Sequence, residues 1–75
     1  MTQNERVFKY MQDFGSITQM EAIRDLGVMR LASRISDLRK EGIGIAKETA
    51  RGKNRYGEVT CFARYRLIEE ERNNV

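Results

Sequence analysis

The chain has 75 residues, a third of them charged and two fifths apolar, with 14 basic against 11 acidic side chains, one cysteine and no histidine. Such a length holds one small domain with a modest core, and the composition suits a folded globular domain better than a disordered chain. No apolar run exceeds three residues, which excludes a membrane-spanning helix or a signal-peptide core and makes the cytoplasm the expected location, while a lone Cys61 excludes an internal disulfide.

A helix is predicted from Gln3 to Phe14. Thr2 can cap its first backbone N–H groups while Glu5, three residues on, reaches back in a capping box. Val7, Tyr10, Met11 and Phe14 recur at helical spacing as a core-facing stripe, and Gly15 suits the left-handed residue that ends such a helix. A short extended link, Gly15-Ser16-Ile17, leads to a second helix with the same start device, Thr18 and Glu21. Ala22, Ile23 and Leu26 are its expected inner face, and Gly27 closes it after little more than two turns. So short a helix cannot stand without neighbours.

Gly27-Val28-Met29 reads as a tight turn, followed by a third helix over residues 30–41 with Leu31, Ile35 and Leu38 inward. At about 100° per residue, Arg30, Ser33, Asp37 and Lys40 fall on the opposite face, with Arg34 and Arg39 on its shoulders. Gly42 and Gly44 stop the helix. Ile43 and Ile45 then alternate with Gly44 and Ala46, as do Ala63, Tyr65 and Leu67 with Arg64 and Arg66, which predicts two strands with one apolar face each. Pairing Ile43 with Tyr65 and Ile45 with Ala63 places Lys47 opposite Cys61 and Thr49 opposite Val59, and leaves residues 50–58 as a loop. Phe62 points to the polar face, as a bulge, a cover for the outer side or a contact residue. Residues 1–67 are expected to form the domain and residues 68–75 an acidic tail. Arg64 and Arg66, on the outer face of the second strand, either pair with that tail or lie along DNA, neither role being favoured by the sequence.

The positive charge is local. Ten of the fourteen basic residues lie between Arg30 and Arg66 against four acidic ones, whereas the preceding segment has three against four and the following one has one against three, so the three segments carry −1, +6 and −2. A basic helix followed by a basic hairpin is the electrostatic footprint of a domain that lays one element in a DNA groove and another along the phosphates. Scattered charge on one helix is more often a solvated face. Four basic residues around one exposed loop, Lys47, Arg51, Lys53 and Arg55, are not needed for folding and strengthen the DNA reading.

Helix, extended link, helix, tight turn, helix and hairpin is the order of a winged helix-turn-helix. Residues 23–38, with Leu26-Gly27-Val28 at the turn and Arg34-Ile35-Ser36-Asp37-Leu38-Arg39 in the third helix, resemble the helix-turn-helix domains of small phage and mobile-element proteins. Arg55-Tyr56-Gly57 and Ala63-Arg64-Tyr65-Arg66-Leu67 are similar to the wing of the same group. The resemblance implies an α+β fold, a three-helix winged helix-turn-helix with a C-terminal two-stranded wing, that binds DNA through the third helix and the wing. Measured from Gly27, Leu31, Ile35 and Leu38 depart in phase from the commonest third-helix pattern.

Arginine can bridge guanine bidentately, whereas lysine mostly holds phosphates. Arg30 and Arg34, with Ser33 beside them, are therefore the expected base contacts. Lys40, Lys47, Arg51, Lys53 and Arg55 are the expected phosphate or minor-groove contacts, and Asn54 either reads a base edge or shapes the turn. Tyr56-Gly57 reads as turn geometry, with a ring that could stack on sugar or backbone. No phosphate-binding glycine loop is present, and a nucleophilic Tyr10, Tyr56 or Tyr65 would need an acid, base and cation set on a larger scaffold, so catalysis is not expected.

The expected protein thus binds double-stranded DNA without cofactor, metal or small-molecule substrate. The expected role is transcription regulation or recombination assistance in a phage or mobile element, and a homodimer would supply the specificity that one winged domain lacks. The competing reading is a protein-interaction module, such as a phage-encoded inhibitor of a host protein, that uses the same basic surface.

Overall fold

The computed structural model describes residues 1–68, so the acidic tail lies, apart from Ile68, outside the described residues. Helix α1 spans Gln3–Phe14 and has the expected capping box, with Thr2 Oγ1 accepting from Glu5 N–H at 3.1 Å and Glu5 Oε1 accepting from Thr2 N–H at 2.7 Å. That backbone hydrogen bond from Thr2 also holds the Glu5 carboxyl below its usual range. Gly15 ends the helix at φ 88°, and its N–H donates to Met11 C=O. Val7 and Met11 are buried, but Phe14 is 70% exposed and rests on Tyr10, their ring centroids 4.7 Å apart. The end of the expected stripe therefore runs off the core.

The link after Gly15 is a strand, β1, Ser16–Thr18. It pairs antiparallel with the last strand in the register Ser16 to Arg66, Ile17 to Tyr65 and Thr18 to Arg64. Thr18 then caps α2, Gln19–Glu21, through a second capping box with Glu21. The helix continues as a wider π-helical turn, Ala22–Leu26, closed by Gly27 at φ 71°, where Val28 N–H donates to Ala22 C=O at 3.0 Å. Ala22 and Val28 are buried and Leu26 is half-buried, while Ile23, expected to face inward, is 41% exposed. Widening the turn advances the chain by one residue before Gly27, which carries Val28 into the core.

Helix α3 covers Leu31–Lys40, one residue shorter at each end than expected, with Leu31, Ile35 and Leu38 buried as the spacing requires. Gly42, at φ 93°, turns the chain into β2, Ile45–Lys53, which pairs with β3, Val59–Leu67. Ile43 precedes the strand rather than opening it. The ladder pairs Ile45 with Leu67, Lys47 with Tyr65, Thr49 with Ala63, Arg51 with Cys61 and Lys53 with Val59. Relative to the expected register, β3 has slid by four residues. The slide is even, so every side chain keeps its face. The strands are longer for the same reason, and the turn is residues 54–58 rather than 50–58.

The sheet order is β1-β3-β2. Val7, Met11, Ile17, Ala22, Val28, Leu31, Ile35, Leu38 and Ile45 form one core, flanked by Phe8, Tyr10, Leu26, Ile43, Tyr65 and Leu67. Each buried Val, Leu, Ile or Met side chain contributes about 1.5–3 kcal/mol, and Ala22 less, and all nine lie at the helical end of the sheet. The outer halves of β2 and β3 project beyond it, giving the molecule a 47 Å long axis against 28 and 20 Å across.

Candidate nucleic-acid interface

Helix α3 has no cap of its own, since Arg30 at the N-cap position makes no side-chain hydrogen bond there. Gln19 of α2 supplies one. Its Oε1 accepts from Leu31 N–H at 3.0 Å and its Nε2 donates to Val28 C=O at 3.1 Å. One amide thus satisfies an orphan donor at the start of α3 and ties it to α2 and the turn. At the other end Arg39 donates to Ile45 C=O at 2.9 Å, joining α3 to the first residue of the wing. Neither link was expected from the sequence, because each joins residues whose meeting depends on how the elements pack.

The outward side of α3 is rotated from the face expected for it. Arg30, Ala32, Ser36, Arg39 and Lys40 are exposed, whereas Ser33, Arg34 and Asp37 are only partly so. The cause is α1. Asn4 Nδ2 donates to Asp37 Oδ2 at 3.5 Å, and the Arg34 guanidinium lies 3.3 Å from the same carboxylate. Arg34 Nε and Asn4 Oδ1 are buried and lack a partner among the described residues. The seam between the first and third helices therefore takes up the side that carries Ser33, Arg34 and Asp37. The open side is turned by about one residue step, or 100°.

The wing is the more open element. Lys47, Arg51 and Lys53 stand at alternate positions of β2, hence on one face, and Arg55 sits in the turn. All four are exposed, and none has a carboxylate within ion-pair distance among the described residues. On the other face Arg66 pairs with Glu48, while the acidic tail considered as its partner lies, apart from Ile68, outside the described residues. Arg64 lies opposite Glu48 and is half-buried.

Asn54 belongs to the turn. Its Oδ1 accepts from Tyr56 N–H at 2.9 Å and Glu58 N–H at 3.0 Å, and its Nδ2 donates to Glu58 Oε1 at 2.9 Å. Phe62 forms no bulge, because the ladder is continuous through it. Its ring lies over Gly52, where a Cβ would come within 3.3 Å of Phe62 Cε1. Phe62 also lines an open groove with Met20, Ile23, Ala32, Lys53 and Arg64, bounded by the second helix, the start of the third and the outer wing.

Next to this groove, which Arg24 also lines, Tyr10 Oη donates to Asp25 Oδ2 at 2.7 Å, and Arg24 Nε donates to Asp25 Oδ1 at 2.9 Å. The Arg24 hydrogen bond, with that of Tyr10, holds the Asp25 carboxyl below its usual range, and the same contact raises the Tyr10 phenol. This cluster fastens α1 to the π-helical turn. Among the described residues no helix is long and apolar enough to cross a membrane.

Three helices with a tight turn between the second and third, and an antiparallel hairpin after the third, define a winged helix. The winged helix-turn-helix domain family matches residues 2–70, and the chain belongs to it. That membership points to DNA as the partner and to a binding rather than a catalytic domain. Comparison with curated proteins and with solved structures finds no match.

Proposed function

We propose that the protein binds double-stranded DNA with α3 at the major groove and the wing on the adjoining backbone or minor groove. One observation carries the reading: Lys47, Arg51, Lys53 and Arg55 stand free of carboxylate partners among the described residues on a ribbon that leaves the core. Cations held in internal ion pairs have spent part of their field on their partners. Free ones on a projecting element can each displace a counterion from a phosphate.

The ten residues of α3 span about 15 Å, long enough to lie in a major groove about 12 Å wide. Its open side offers Arg30 and Lys40 to bases or phosphates, with Ala32 and Ser36 between them. Ser33 and Arg34 border that side, and Arg34 is assigned to holding α3 against α1. Asn54 is assigned to the turn. A role as a regulator or recombination accessory factor of a phage or mobile element is supported by the resemblance of residues 23–38 and of the wing to such proteins. A homodimer would supply a second set of base contacts.

The test is the salt dependence of binding to a mixed-sequence duplex, with polyglutamate as competitor. With about four to six phosphates neutralised, log affinity falls against log salt with a slope of about −4 to −5. A flat salt response would count against DNA as the partner, and displacement by polyglutamate as efficient as by unlabelled duplex would instead favour an acidic protein.

A further inference from the structure

We propose that Tyr56 is a wedge, entering the minor groove at the wing tip and partly unstacking one base step while the cations around it hold the flanking phosphates. The inference rests on the DNA-binding reading.

The Tyr56 side chain has no part in the fold, for the residue is 85% exposed. Its backbone, in contrast, is fixed. Besides the three hydrogen bonds of the Asn54 side chain, Asn54 N–H donates to Glu58 C=O and Gly57 N–H donates to Asn54 C=O, each at 3.0 Å, with Gly57 at φ 79°. A hairpin needs a turn, but it does not need an aromatic side chain held out from it. A ring presented from a pre-ordered tip loses little freedom on insertion.

Its surroundings suit insertion. Val59, 64% exposed, adds apolar surface beside the turn opposite Lys53. Arg51, Lys53 and Arg55 form a cationic collar behind these two residues. Glu58, the carboxylate of the turn, is drawn onto Asn54 Nδ2. The minor groove is only about 6 Å wide, too narrow for a two-stranded ribbon but open to one side chain from its tip. Side chains placed this way separate stacked pairs and bend the duplex, while cations hold the strands on either side.

Separating stacked pairs untwists the duplex, so the effect is readable without a known target sequence. Negatively supercoiled plasmid is relaxed with topoisomerase under saturating protein, the protein is removed, and the topoisomers are resolved. Occupancy is followed in parallel by gel retardation. The wild type should shift the linking number. At matched occupancy Tyr56→Ala should abolish the shift, Tyr56→Phe should retain it because the ring and not the hydroxyl acts, and Arg55→Ala should weaken binding yet retain the shift once saturated. Melting curves of Tyr56→Ala and the wild type should coincide.

Retardation without a shift in the wild type, or an equal shift in Tyr56→Ala, overturns the wedge and leaves the DNA reading standing. Absence of retardation at low salt overturns both.

Discussion

The third helix and the wing carry the same kind of residue to different ends. In α3, Arg34 leans on Asp37 beside the first helix and Arg39 on the Ile45 carbonyl. In the wing, Lys47, Arg51, Lys53 and Arg55 have no carboxylate partner among the described residues. The difference follows from what lies within reach and, for Arg34, from burial. An arginine at a helix seam loses water and must find an acceptor, whereas a lysine on a projecting strand keeps its hydration until a phosphate arrives. Basic residues counted along a sequence are therefore not equal contributors to a binding surface. On the proposed reading the helix would contribute shape and a few contacts, and the wing most of the electrostatic attraction.

The largest effects should separate the two by what they disturb. Ile35 is buried in α3, and Ile35→Ala should lose about 2–5 kcal/mol through transfer and cavity terms, much of what so small a domain can have. DNA affinity should then fall only with the fraction unfolded. The combined change of Lys47, Arg51 and Lys53 to Ala should do the reverse, lowering the salt slope by about three with the thermal midpoint nearly unchanged. If the triple variant kept the wild-type slope, the wing would not be the electrostatic element and the contrast would collapse.

Features set by neighbours in sequence were legible in it. Both capping boxes, the end of α1 at Phe14 and the Leu31, Ile35 and Leu38 face follow from spacings of three and four, and the structure has each. What failed depended on distant partners. Ser16–Thr18 is a strand only because β3 passes beside it, and three residues carry too little pattern to announce that. The hairpin slid by four because an even slide keeps the apolar residues on their face, so alternation could not choose between registers. The same limit applied to the interface. The apolar phase of α3 was readable, but which polar side stayed open depended on where Asn4 of α1 came to rest, a contact 33 residues away.

A smaller effect should come from Gln19, which sets the start of α3 from its place in α2. Gln19→Ala leaves Leu31 N–H and Val28 C=O without this partner and should cost about 1 kcal/mol, the usual scale for a lost helix cap. Because the amide also joins α2 to α3, affinity for duplex should fall beyond what the melting curve explains, with the salt slope unchanged. A proportional loss of slope would instead mean that Gln19 acts through the wing.

The smallest effect on binding is expected at Arg34, and it bears most directly on the comparison. By residue type and place in the helix Arg34 is a natural guanine reader, but its guanidinium lies on Asp37, which also receives Asn4, and its Nε is buried. To reach a base it would have to leave that seam and strand the Asp37 carboxylate beside Asn4. Arg34→Ala should therefore lower stability by about 0.2–1 kcal/mol, as expected for a partly exposed pair. Sequence preference in a selection from random duplex should not change. Ser36→Ala, on the open side, should barely move the melting curve, since surface changes usually stay within about 0.5 kcal/mol, and should alter preference at one base step if that side faces the groove. The opposite pattern, preference relaxed by Arg34→Ala and untouched by Ser36→Ala, would mean that α3 swings away from α1 on DNA, releasing its arginine to read.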